Sequence, residues 1–153
     1  FVVELIRQST AKRIPIMVKL NAGEVENDME MISKSGADGV ILMSKNIPLE
    51  AAVTATRKIK SDLIILATCD SLDSENIAKI ISLGASGMFL ENNCSNKDLK
   101  EFGTKLANTV GSLGVGSLAE LGPEHLRTNN QNTAAMTGVP LAGYESVLPM
   151  WRH

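Results

Sequence analysis

Short apolar segments recur along this chain at intervals of about 24 residues, and each is followed by a segment with helical periodicity. The apolar segments begin near residues 15, 38, 63 and 87, with the sequences PIMVKL, DGVILM, LIILAT and GMFLE. Near-continuous apolar runs of this length are typical of strands buried on both faces, as in a parallel sheet covered by helices. The repeat therefore predicts an α/β fold built from four parallel βα units.

The segments around the predicted strands carry the periodicity and the end signals of helices. Helices are predicted over residues 2–13, 24–36, 47–60, 71–84 and 95–113. In the second of these, acidic residues occupy the first turns and Gly36 supplies a stop signal. In the fourth, Asp73 or Ser74 is expected to cap the N-terminus.

Two architectures are compatible with four parallel βα units. One is half of an eight-stranded TIM-like barrel, and the other is an open doubly wound sheet. Helix 2–13 has no strand of its own before it, which favours a chain that begins in the middle of a barrel. The predicted organisation is a half-barrel βα repeat at 1–113 and a C-terminal helical and irregular cap at 114–153, with short helical patches at 118–121, 123–127 and 133–137.

Charge and composition argue against several classes of function. The formal net charge of −2 leaves no basic excess of the kind that nucleic-acid-binding proteins concentrate on one face. No segment approaches the roughly 18 apolar residues of a membrane-spanning helix, and the N-terminus lacks a signal-peptide pattern. We therefore predict a cytoplasmic protein with neither nucleic acid nor membrane as a partner. Cys69 and Cys94 are too far apart for a metal site and are predicted to be reduced and buried.

Polar residues stand at the ends of three predicted strands. Lys19 lies near the end of the first strand, Asp70 follows the third, and Glu91 and Asn93 follow the fourth. Because parallel strands gather their carboxyl ends at one rim, these four residues are predicted to line a pocket for a cofactor or another small molecule. The alternative for Lys19 is a packed stem with its ammonium in water, and for Asp70 it is a turn residue.

The tail carries the most specific pattern in the chain. The segment LANTVGSLGVGSLAELGPEHLRTNNQNTAAMTGVPLAGYE (106–145) resembles the region after the last barrel strand in the FMN-binding domain of glutamate synthase. Residues 15–42 are similar to that family's strand with a V-K-[LI] triplet, followed by a helix and a GAD strand. Residues 47–59 and 78–90 resemble its last two barrel units. The resemblance implies the C-terminal half of an FMN barrel in an oxidoreductase of glutamate biosynthesis, with Lys19 close to the flavin.

The chain departs from that family where the family binds the FMN phosphate. Glycine-rich loops follow the strands there, whereas this chain has polar, glycine-free segments at 44–46, 69–71 and 91–93. Asp70 and Glu91 would repel a phosphate dianion at close range. The cysteine motif of an iron–sulfur cluster is also absent. The sequence therefore predicts a degenerate flavin site, with FMN as the one candidate cofactor.

Two functions remain open from the sequence alone. A half barrel leaves unpaired strand edges and a bare apolar face, so it is expected to pair with another barrel half or to form a homo-oligomer. In that case the chain is part of a larger oxidoreductase or a structural subunit. The alternative is a stand-alone α/β module that binds a small ligand or a protein without catalysis.

Overall fold

The computed structural model describes residues 2–11 and 13–144, in which strands and helices alternate as predicted. The strands are β1 (Met17–Asn21), β2 (Gly39–Met43), β3 (Ile64–Cys69) and β4 (Gly87–Leu90). The helices are α1 (Val2–Ser9), α2 (Val25–Ser35), α3 (Leu49–Ile59), α4 (Ser74–Ser82), α5 (Asn96–Ser112) and α6 (Gln131–Thr137). Two single-turn 3-10 helices, Leu118–Glu120 and Pro123–His125, lie between α5 and α6.

The strands form one sheet in the order β1-β2-β3-β4, and the β1–β2 and β2–β3 pairs are parallel. The register places Lys19 beside Ile41 and Ile41 beside Leu66. A doubly wound sheet requires a reversal of strand order, whereas this order follows the chain without one. Because parallel crossovers are right-handed, an unreversed order is that of a barrel wall. The open doubly wound alternative is therefore ruled out.

The chain divides into two compact units. The first comprises the described residues up to 68 together with 85–89, and contains α1, α2, α3 and almost the whole sheet. The second comprises 69–84 and the described residues from 90 onward, and contains α4, α5, both 3-10 helices and α6. The sequence-based boundary at residue 113 lies just after α5, within the second unit.

The core of the first unit lies on one face of the sheet. Val40, Leu42, Ile65 and Ala67 are fully buried, and the register puts them on a common face. Helices α2 and α3 bury apolar side chains in the same unit: Val25, Met29 and Ile32 from α2, and Ala51, Ala52 and Val53 from α3. Apolar burial of this kind is the main stabilising contribution to such a unit.

The opposite face of the sheet is less covered. Ile64 is 44% exposed and Phe89 is 38% exposed, although both are large apolar side chains of strands. We call this surface the open face, and define it by Met17, Lys19, Ile41, Ile64, Leu66 and Phe89. Gly39 lies on it between two neighbours, since a Cβ there would stand 2.5 Å from the Ile64 carbonyl oxygen and 2.6 Å from Met17 Cε.

An ion pair joins α1 to the beginnings of two strands. Arg7 Nη2 donates to Asp38 Oδ1 at 2.8 Å and to the Gly36 carbonyl oxygen, while the Ile16 amide donates to Asp38 Oδ2 at 2.7 Å. The hydrogen bond from Arg7, followed by the one from Ile16, lowers the pKa of Asp38 below its ordinary value. Asp38 therefore favours its ionised form in the folded chain.

The second unit packs α4 against α5. Ile77, Ala78 and Ile80 of α4 and Val110 of α5 are buried, and Thr109 Oγ1 donates to Ser74 Oγ at 3.1 Å between the two helices. The tail that follows is ordered by a bridge between Thr128 and Leu141. The helical patches predicted at 118–121, 123–127 and 133–137 are all confirmed. The last part of the predicted cap, 145–153, lies outside the described residues.

Candidate functional site

Lys19 lies in the first unit and projects from β1 on the open face. Its ammonium nitrogen stands 5.4 Å from the centroid of the Phe89 ring, within the range of a cation–π contact. Lys19 is exposed, and the ring face of Phe89 gives its charge a preferred position. No sequence pattern links residue 19 to residue 89, so this contact could not be predicted from the sequence.

The ends of β3 and β4 are joined by two hydrogen bonds in the second unit. The Glu91 amide donates to the Cys69 carbonyl oxygen at 3.1 Å, and Asn92 Nδ2 donates to the Asp70 carbonyl oxygen at 2.8 Å. These bonds hold the segment after β4 beside the segment after β3. Polar residues from both strand ends are thereby brought together.

A cavity of about 210 Å³ opens between these two segments. Six polar residues line it together with two leucines: Asp70, Ser71, Asn92, Asn93, Cys94 and Asp98. We call it the strand-end cavity. Of the residues predicted from sequence, Asp70 and Asn93 line this cavity, whereas Glu91 does not. The other four polar lining residues were not predicted as site residues: Ser71, Asn92, Cys94 and Asp98.

The surroundings of Cys69 favour the neutral form of its thiol. Burial first, and then the negative charges of Asp70 and Glu91, raise the pKa of its thiol. A thiol in its neutral form is a poor nucleophile, so the structure offers no activated cysteine at this position. Cys94 is exposed and Cys69 is only partly buried, so the expectation that both cysteines are buried is wrong.

Side-chain oxygen atoms cap the N-termini of α4 and α5, the helices that follow these strands. Asp73 caps α4, where its Oδ1 accepts from the amides of Glu75 at 3.1 Å and Asn76 at 3.5 Å. This confirms Asp73 as one of the two candidate cap residues.

Helix α5 begins with a reciprocal capping box. Ser95 Oγ accepts from the Asp98 amide at 3.2 Å, and Asp98 Oδ2 accepts from the Ser95 amide at 3.0 Å and from its hydroxyl at 2.7 Å. The hydrogen bonds from Ser95 lower the pKa of Asp98. A carboxylate therefore occupies the start of each helix.

These strand ends do not fit the phosphate of a flavin mononucleotide. Phosphate is usually held by free backbone amides at a helix N-terminus and by glycines that allow close approach. Here three such amides are already bonded to Asp73 and Ser95, and residues 69–76 and 90–98 contain no glycine. The basic side chain in these segments, Lys97, lies 3.7 Å from Glu101. A phosphate dianion at these helix N-termini would meet carboxylates instead of free hydrogen-bond donors.

Three of the four predicted site residues lie at neighbouring strand ends. Asp70, Glu91 and Asn93 belong to the second unit, where the two strand ends lie side by side. Lys19 belongs to the first unit, so its participation in a common pocket stays a prediction. Across residues 2–11 and 13–144, no three His, Cys, Asp or Glu side chains are grouped so as to hold a metal ion. No helix in the same ranges is long and apolar enough to cross a bilayer.

Comparison with known proteins identifies related folds and no family. No protein-family model matches this sequence, and no curated protein matches it. Among solved structures, the recombinant flavin-binding domain of baker's yeast flavocytochrome b2 matches with a TM-score of 0.65 and 22% identity over 80% of this chain. A point mutant of flavocytochrome b2 matches with a TM-score of 0.64 and 21% identity over 80% of this chain. A flavocytochrome b2 mutant with benzoylformate gives a TM-score of 0.58 at 21% identity.

These matches confirm the predicted fold class. The chain is an α/β half-barrel, with four parallel strands in an open sheet, like part of the flavin-binding barrel of those proteins. It spans about 37% of the length of the flavocytochrome b2 chain that it matches. At this level of identity the likeness concerns the fold alone.

Proposed function

We propose that this chain is part of a glutamate synthase-like flavin barrel and serves as one wall of a larger assembly, in which another barrel half covers its open face. The fold agrees with a flavin-binding barrel, and the tail at 106–145 supplies the resemblance to glutamate synthase. The assignment to an oxidoreductase of nitrogen metabolism depends on that resemblance. The proposed pairing with another barrel half depends on the exposed apolar face of the sheet.

The observation that carries the proposal is the exposed apolar surface of a parallel sheet. Parallel sheets are normally covered on both faces, because their strands are apolar throughout. Here Ile64 and Phe89 remain substantially exposed on the open face. The four strands are half the number that closes a (β/α)₈ barrel, and the described residues add no fifth strand to the sheet. A second set of four strands would cover the face and pair both edges.

A composite flavin site is the second candidate function. Lys19 favours it, because its ammonium is positioned on the open face by Phe89. A fixed cation on the inner wall of a barrel suits an anionic ligand. The ends of β3 and β4 do not fit the flavin phosphate, so in this candidate the phosphate contacts come from another segment. Lys19→Met would then weaken ligand binding to the full assembly without changing its oligomeric state.

The pairing is tested by a charge placed on the open face. Ile64→Glu puts a carboxylate where the proposal places the partner, and Ile59→Glu is the matched control because Ile59 is 40% exposed at the end of α3. Sedimentation velocity should show the Ile64→Glu chain as a monomer, whereas the unmodified chain and the Ile59→Glu chain remain associated. Circular dichroism should show that all three proteins are folded.

Two results would contradict the pairing. One is an unmodified chain that sediments as a monomer at every concentration. The other is dissociation by Ile59→Glu to the same degree as by Ile64→Glu, since the partner would then contact the helical side of the unit instead of the open face.

A further inference from the structure

We infer that the strand ends of β3 and β4 exclude phosphate dianions, and that a ligand of the strand-end cavity is neutral or cationic. The inference concerns residues of the second unit only. It holds whether or not the open face pairs with another barrel half. Three features of the two segments support it.

The first feature is the occupation of the amide donors. An anion at a helix N-terminus needs amides in the first turn that have no partner in the chain. In α4 the amides of Glu75 and Asn76 are bonded to Asp73 Oδ1, and in α5 the Asp98 amide is bonded to Ser95 Oγ. A phosphate that used these three amides would have to displace the caps.

The second feature is the sign of the charge around the cavity. Asp70 and Asp98 both line it, and Asp73 lies at the adjacent N-terminus of α4. The hydrogen bonds from Ser95 lower the pKa of Asp98, which favours its carboxylate form. Like charges at close range disfavour a dianion more strongly than a monoanion. The helix dipoles, which would attract an anion, are already compensated by these carboxylates.

The third feature is the polar surface that remains. Asn92 and Asn93 line the cavity, and an amide side chain offers both donor and acceptor atoms. Together with the carboxylates of Asp70 and Asp98, they form a lining with more acceptors than donors. Such a lining suits a ligand that donates hydrogen bonds, for example an ammonium, amidinium or amide group.

The inference is tested by titrating the ¹⁵N-labelled chain with inorganic phosphate at pH 7 and constant ionic strength. The reporters are the amide resonances of Glu75, Asn76 and Asp98. The unmodified chain should show no saturable shift at these amides in the millimolar range. The double variant Asp70→Gly/Asp73→Gly frees two amides and removes two charges, and it should gain a saturable shift at Glu75 and Asn76.

A second variant separates charge from donor occupancy. Asp70→Asn/Asp73→Asn removes the same charges but keeps a capping oxygen, so its affinity for phosphate should be lower than that of the glycine variant and higher than that of the unmodified chain. A saturable shift of the three amides in the unmodified chain would overturn the inference. If none of the three folded proteins shows a saturable amide shift with phosphate, the electrostatic explanation of the exclusion is overturned.

Discussion

Gly39 allows its two neighbours on the open face, Met17 and Ile64, to pack closely because it has no side chain. A Cβ at this position would lie 2.5 Å from the Ile64 carbonyl oxygen, and backbone atoms of a neighbouring strand cannot move away cheaply. Gly39→Ala should therefore lower the free energy of unfolding by about 1 to 3 kcal/mol. Gly103→Ala is the control, because Gly103 lies inside α5 with nothing near its missing Cβ. That change should raise stability by about 0.5 to 1 kcal/mol.

Urea denaturation of both glycine variants measures these effects. Equal stability of the Gly39→Ala variant and the unmodified chain would contradict the close packing of Met17, Gly39 and Ile64. The Gly103→Ala result checks that the assay detects a change of this size.

The two cysteines should differ in reactivity. Burial and the charges of Asp70 and Glu91 raise the pKa of Cys69, so its thiolate population stays small until the pH exceeds the ordinary thiol range, near 8.5. Cys94 is exposed. Iodoacetamide at pH 7.5 should label Cys94 first, as followed by peptide mass spectrometry over time. Faster labelling of Cys69 would show that its thiol is more accessible or more ionised than this structure indicates.

Single residues could be predicted from sequence where their role is local. Asp73 as a cap and Gly36 as a helix stop follow from chain neighbours alone, and both are confirmed; Gly36 has the positive φ of 75° that a stop of this kind requires. The contact of Lys19 with Phe89 joins residues that are distant in sequence, and no short-range pattern encodes it. Asp98 was missed as a cavity residue for the same reason, since its place depends on how two strand ends meet.

At the level of elements, the link between α1 and the sheet is predicted to depend on pH. Asp38 accepts hydrogen bonds from Arg7 and from the Ile16 amide, and its pKa is lowered in the folded chain. A group whose pKa is lowered on folding stabilises the fold above its unfolded-state pKa, which is about 3.9 for aspartate. That stabilisation is lost as the pH falls through the lower pKa of the folded state.

The Asp38→Asn variant should therefore be less stable than the unmodified chain at pH 7, and the difference should shrink below about pH 4. Thermal unfolding of both proteins between about pH 2.5 and pH 7 measures this difference, because that interval covers most of the range in which aspartate titrates. Arg7→Gln removes the other member of the pair. In a chain that already carries Arg7→Gln, the further change Asp38→Asn should lower stability much less than it does in the unmodified chain. A difference that is constant with pH would contradict the ionised pair.

Helix and strand positions were largely predictable, because hydrophobic periodicity is a local property. All four strands and the five long helices lie where the sequence placed them. The ends were less predictable, as α1 shows. It stops at Ser9 instead of residue 13, since Ala11 adopts a positive φ of 50° that breaks the helix. Pro48 lies just before α3, at its N-cap, where the missing N–H group costs nothing.

At the level of the whole molecule, strand order decided between two architectures that the sequence left open. Periodicity predicts four parallel strands, but it does not indicate which strands are neighbours. The order β1-β2-β3-β4 carries no reversal, and the flavin-binding domain of flavocytochrome b2 has the matching fold. The open face agrees with this order, because in a complete barrel the inner face of one wall is covered by side chains of the remaining strands.

Native mass spectrometry of the unmodified chain, combined with an absorbance spectrum of the same sample, tests the central proposal most directly. An assembly of two or more 16.4 kDa chains is expected, because the open face and both sheet edges need a partner. Flavin absorbance in that assembly would favour the composite site, and its absence would favour a structural wall. A monodisperse monomer of 16.4 kDa would contradict the account, since the open face would then be stable in water without another barrel half.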